Sequence, residues 1–107
     1  MEESSEIVPG VRSVRVGVHT PGLLMVEVAG RSGEVVIASD SVHFLEEMML
    51  DRPFYAHTDL VGMYRAYEVL RMKASTPNTW IVSGHDPIEM ERFERVNEHC
   101  VDLTRPV

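Results

Sequence analysis

Three short runs rich in β-branched residues fall within roughly the first forty positions, each closed by a turn signal, and this pattern restricts the chain to folds that begin with a β-meander. From Val11 to Val18 the residues alternate. Val14, Val16 and Val18 lie on one side, with Ser13, Arg15 and Gly17 on the other. This is the period of a half-buried strand. His19-Thr20-Pro21-Gly22 interrupts it with a turn signature. Leu23 to Val28 reads as a second strand, and Gly30-Arg31-Ser32-Gly33 as a hairpin-length connection. Glu34 to Ala38 follows as a third strand. Its run Val35-Val36-Ile37-Ala38 suits burial on both faces.

Beyond Ser39-Asp40-Ser41 the periodicity changes to that of helices. Phe44 to Leu50 predicts a short helix, ended by Asp51-Arg52-Pro53 because proline disfavours helical geometry at the residue before it. Thr58 or Asp59 can cap a longer helix running to about Lys73. Its apolar stripe is Leu60, Met63, Tyr64, Tyr67, Leu70 and Met72, which is expected to face the sheet as core. Thr79 to Val82 predicts a fourth strand. Ser83-Gly84-His85-Asp86-Pro87 is the loop at its end, followed by a helix from about Ile88 to Arg95 and an edge segment at Val101–Leu103. Residues 1–8 are expected to be disordered. The order of strands and helices predicts a single α/β domain over 1–107, with helices on one face of a mixed sheet.

Charge limits the partners. The formal net charge is −7, and the ten basic residues are scattered, which argues against a nucleic-acid surface. The acidic stretches at Glu2–Glu6 and Glu89–Glu98 read as solvated faces. No apolar run reaches the length of a membrane span, and the N-terminus is unlike a secretory signal. One cysteine, Cys100, allows no intramolecular disulfide and reads as a structural or incidental thiol. The expectation is a cytoplasmic protein without nucleic-acid or membrane partners.

Three polar residues share a position in this scheme. His19 follows the first strand, Asp40 the third and His85 the fourth. Loops at strand ends are where a rigid sheet can aim several side chains at one point. Two imidazoles and a carboxylate suit zinc and related ions. Taken singly, a loop histidine is commonly just exposed, and an aspartate after a strand is commonly a turn former.

The local sequences add to this. His19-Thr20-Pro21-Gly22, the stretch Val36-Ile37-Ala38-Ser39-Asp40-Ser41-Val42-His43-Phe44, Arg52-Pro53-Phe54 and Gly84-His85-Asp86-Pro87 occur in order over roughly residues 9–95. Together they resemble the second half of the metallo-β-lactamase superfamily, and within it the N-acyl homoserine lactonase-like branch. The resemblance implies half of a four-layer αβ/βα sandwich with two metal ions, zinc in the first instance, between its sheets. It implies that His19 ligates one ion and His85 the other, while Asp40 bridges them. It also implies hydrolysis of a lactone or ester substrate, with lactone ring opening by a metal-bound hydroxide as the favoured reaction. Some lactonases of the branch carry a tyrosine three residues after the bridging aspartate, thought to position the substrate carbonyl. Here that position is His43, which could donate a hydrogen bond in the same place or pack against the following helix. Asp86 could support a ligand histidine. Capping the next helix is the preferred role. His57 and His99 match nothing and read as surface residues.

The hallmark of the family, His-x-His-x-Asp-His, does not occur in this sequence. His57-Thr58-Asp59 is its nearest echo and lies in the wrong order. Each ion would keep one histidine and a share of Asp40, whereas a catalytic zinc usually has three protein ligands. The chain is therefore expected to bind metal weakly and to be inactive without an N-terminal half. That half would come from a homo-oligomer or another chain. The alternative is a non-catalytic, self-associating structural domain or remnant.

Overall fold

The computed structural model describes residues 3–107. Strands β1 (Glu3–Val8), β2 (Val11–Arg15), β3 (Leu24–Ala29) and β4 (Glu34–Ser39) form an antiparallel meander. Two helices follow, α1 (Leu45–Leu50) and α2 (Leu60–Ser75). Strand β5 (Thr79–Ser83) then adds parallel to β4, giving a mixed sheet of order β1-β2-β3-β4-β5. Parallel neighbours need a long crossover, and the helical segment supplies it. A short helix, α3 (Glu89–Arg92), leads into the hairpin β6 (Phe93–Asn97) and β7 (Cys100–Pro106).

Helix α2 begins where Asp59 accepts the Gly62 amide at 2.8 Å, satisfying one of the amides a helix start leaves unpaired. Its buried face is Met63, Ala66, Tyr67 and Leu70, at helical spacing. Register assembles the opposing layer. Val14 pairs with Met25, and Val36 with both Glu27 and Ile81, so Val14, Met25, Val36, Ala38 and Ile81 are all buried in the core. The other face carries Val28, Val35, Ile37 and Trp80. These remain half-buried along a groove bordered by Leu103 of β7.

The structure corrects several expectations. Glu3–Val8 is a strand rather than a disordered lead, paired with β2 from Glu3↔Arg15 to Val8↔Val11; residues 1 and 2 lie outside the described residues. The last helix stops at Arg92, and Phe93–Asn97 is extended. Arg92 donates to the Ile81 carbonyl at 2.6 Å and to Glu89, which fixes the chain before it turns into the hairpin. Leu60, Tyr64 and Met72 are exposed, because the core-facing stripe of α2 is centred on Met63 and Tyr67.

Candidate metal centre

Asp40 stands one residue past β4. Ser39 adopts a left-handed backbone (φ 53°), and the chain reverses there, with the Ser41 amide bonded to the Ala38 carbonyl at 3.1 Å and Val42 to Ser39 at 3.3 Å. The Ser41 hydroxyl also donates to Ala38. This tight turn leaves the Asp40 carboxylate projecting from the end of the sheet. The loop after β5 continues alongside it. Gly84 N donates to Val42 O at 2.8 Å and His85 N to His43 O at 2.9 Å. Gly84 is required by space. A Cβ there would sit 2.7 Å from the Ser39 carbonyl oxygen and 3.3 Å from Asp40 Oδ1.

His19 reaches the same point from the β2–β3 connection. Val16 and Gly17 donate to the Leu23 carbonyl, closing the loop, and Thr58 N donates to Val18 O at 2.9 Å. The His19 Nδ1 lies 2.7 Å from the Ala56 carbonyl oxygen. A carbonyl only accepts, so Nδ1 carries the proton and Nε2 presents a lone pair.

Four side chains thus converge from three strand ends. His85 Nε2 is 2.9 Å from Asp40 Oδ1, His19 Nε2 is 3.7 Å from Oδ2 and His43 Nε2 is 3.8 Å from Oδ1. The His43 ring stacks on Phe54 with centroids 3.9 Å apart, and lies 5.2 Å from the His19 ring and 5.1 Å from that of His85. One donor atom each from His19, Asp40 and His43 lie within 4.8 Å of one another. His85 is more than half exposed, whereas His43 is buried. All three metal-ligand candidates taken from the sequence are therefore neighbours, and His43 joins them.

Behind His43 stands a group that sequence reasoning missed. Glu47 is buried on α1. Its Oε2 accepts the Phe44 amide at 2.6 Å and its Oε1 accepts the Tyr67 hydroxyl at 3.0 Å. Oε1 also faces His43 Nδ1 at 3.7 Å. That nitrogen is buried without a hydrogen-bond partner among the described residues. The available signal was the spacing from His43 to Glu47 at i, i+4 entering a helix. Burial raises the pKa of Tyr67, with the Glu47 carboxylate adding to the effect. Asp86 does not cap α3, whose N-cap is Ile88 without a side-chain bond; it accepts from Ile88 N at 3.1 Å within its own loop and from Leu45 N at 3.0 Å, which ties that loop to the start of α1. His57 is half-buried, while His99 is exposed beside Glu98.

Burial pushes the His43 imidazole below its ordinary 6.5, against the pull of Glu47 and Asp40 and with the help of His19 and His85. Well above 6.5 the ring is neutral in both folded and unfolded chains. Below it the unfolded chain takes up the proton first, so stability is lost as pH falls. The urea midpoint of the metal-free chain is expected to drop from about pH 8 to about pH 5.5, less steeply in His43→Gln. Equal slopes in the two proteins would contradict this.

No family model matches the chain, and no curated protein sequence matches it. Solved structures do. An N-acyl homoserine lactone hydrolase with N-hexanoyl-L-homoserine bound at its catalytic metal centre aligns with a TM-score of 0.74 at 22% identity, covering 100% of this chain and 40% of that one. A quorum-quenching N-acyl homoserine lactone hydrolase aligns at 0.72 and 25% identity, covering 100% and 41%. A dizinc quorum-quenching lactonase holding the same product aligns at 0.58 and 16% identity, covering 78% and 29%. The chain therefore has the fold of a metallohydrolase, in part: it spans about 40% of the length of the first of these structures. Within that class its structural neighbours are N-acyl homoserine lactonases, the branch that the sequence resembles.

The donor set fits a divalent ion. Two imidazoles, the rear nitrogen of His19 hydrogen-bonded to Ala56 and that of His43 facing the Glu47 carboxylate, and a carboxylate with both oxygens facing them are ligands that zinc-class ions take.

Proposed function

We propose that this chain forms part of a metal-dependent hydrolase of the lactonase type, in which His19, Asp40 and His85 are metal ligands and Asp40 and His43 border the reacting groups. The observation that carries the reading is the meeting of these four side chains at strand ends, in a fold shared with enzymes that open acyl homoserine lactones. Asp40 is suited to serve two ions, since its Oδ1 faces His85 and its Oδ2 faces His19. The Ala56 carbonyl holds the His19 ring, and the Gly84–Val42 pairing holds the loop that carries His85. Zinc-class ions bound there would polarise a lactone or ester carbonyl and activate water. Phe54 stacks on the His43 ring and backs one side of the site.

Within this sequence the ligands number fewer than two ions need. The reading therefore takes the remaining ligands from residues outside this sequence, with turnover only when they are present. A lone cysteine supports a cytoplasmic setting. No helix among the described residues is long and apolar enough to cross a membrane. The half-buried groove of Val28, Val35, Ile37 and Trp80 favours a second reading, a non-catalytic domain that self-associates through that face.

The test pairs metal content with activity. The purified chain is expected to retain zinc that the His19→Ala, His85→Ala double variant loses. Acyl homoserine lactone opening by the chain alone is expected to stay at background. Equal, negligible metal in both proteins would remove the centre, and robust metal-dependent turnover would remove the need for residues outside this sequence.

A further inference from the structure

We propose that His43 is itself a metal ligand, completing with His19 and Asp40 a three-donor site made wholly from this chain, and that Glu47 and Tyr67 are its positioning residues. The inference rests on the metal-centre reading above and deepens it.

The case begins with protons. A neutral imidazole has one N–H and one lone pair. His43 Nδ1 is buried and faces Glu47 Oε1 at 3.7 Å, and a carboxylate can only accept. The proton therefore belongs on Nδ1, and Nε2 carries the lone pair. That lone pair faces Asp40 Oδ1, another acceptor, at 3.8 Å. His19 repeats the arrangement. Its Nδ1 is committed to the Ala56 carbonyl, and its Nε2 lone pair faces Asp40 Oδ2 at 3.7 Å. Two nitrogen lone pairs and a carboxylate turned towards one another repel unless a cation lies among them. These are the three residues whose donor atoms fall within 4.8 Å of one another.

The same tautomer argues against the alternative role. To hold a substrate carbonyl, His43 would need the proton on Nε2, and Nδ1 would then face Glu47 as a second acceptor. Glu47 cannot turn away easily, since Phe44 N holds Oε2 and Tyr67 holds Oε1. A carboxylate behind a histidine fixes the ring and strengthens it as a ligand. The chain thereby offers one ion three protein ligands, the number a catalytic zinc usually has. His85, more than half exposed and hydrogen-bonded to Asp40, is left for the second ion.

Cobalt(II) binding to the full chain tests this, read by visible absorption and by calorimetry. His43→Gln is expected to weaken binding at least about tenfold and to alter the ligand-field bands. Glu47→Gln is expected to weaken it by about tenfold with the bands retained, as for loss of a supporting group behind a ligand. Circular dichroism monitors folding. Wild-type affinity and bands in His43→Gln, beside lost binding in Asp40→Ala, would overturn the ligand role of His43 and leave the metal centre standing. Absence of cobalt binding by the wild-type chain would overturn both. Should His43→Gln fail to fold, long-range proton–nitrogen NMR of the wild-type chain decides. Nδ1–H with an Nε2 shift on adding zinc is expected. Nε2–H with no shift overturns the proposal.

Discussion

Replacing Asp40 by alanine is expected to lower the affinity of the chain for zinc by more than about 100-fold, beyond the usual cost of losing a supporting group around a metal. Three imidazole nitrogens lie within 3.8 Å of its two oxygens, and among the described residues no other carboxylate joins the donor cluster. The fold should survive. Asp40 is partly exposed, and its interactions among the described residues are with the three histidines rather than with backbone amides. Removing it relieves the facing of the His19 and His43 nitrogens upon a carboxylate, and costs one exposed hydrogen bond from His85. Calorimetric titration with zinc, alongside a urea melt, separates the effects. Affinity within about threefold of wild type would be incompatible with a centre built on this carboxylate.

Tyr67→Ala is expected to have the largest effect on stability, about 3–5 kcal/mol, as for other aromatic side chains removed from a core. The ring is fully buried on α2 among Met63, Ala66 and Leu70, and its hydroxyl is one of two groups that hold Glu47. A domain of this size has a total stability of only about 5–15 kcal/mol, so a large share would go. Tyr67→Phe keeps the volume and removes only the hydroxyl. Its expected cost is about 1–3 kcal/mol, from a buried carboxylate deprived of a donor. Urea unfolding of both variants gives the comparison. Equal losses would mean that the hydrogen bond to Glu47, rather than packing, dominates.

Much of this fold was legible because it follows periodicity. The strands at Val11–Arg15, Leu24–Ala29, Glu34–Ser39 and Thr79–Ser83 carry alternating or continuous apolar residues, and Asp59 is a recognisable helix cap. The first strand escaped because Glu3, Ser4, Ser5 and Glu6 carry no apolar signal. It pairs through backbone at the sheet edge, where polar residues are at home. Phe93–Asn97 escaped because Phe93-Glu94-Arg95-Val96 serves equally as the last turn of a helix or the start of a hairpin. The pairing with Cys100–Pro106 decides it.

The site divides the same way. His19, Asp40 and His85 could be singled out because strand ends and local motifs mark them. Glu47 and Tyr67 could not. Their part depends on α1 and α2 packing together, and in sequence Glu47 reads as a helix surface charge and Tyr67 as one more core aromatic.

The parallel pairing of β4 with β5 also sets when the site can come into being. The meander from β1 to β4 joins neighbours through short turns and can form from local contacts. Strand β5 pairs only after the whole segment from Asp40 to Asn78 has been closed into a loop, and such non-local contacts are slow to form. Asp40 and His43 lie on one side of that closure and His85 on the other. Until it is complete, His85 is held apart from Asp40 and His43. An ion shared between Asp40 and His85 therefore acts as a late clamp, favouring the state in which β5 has paired.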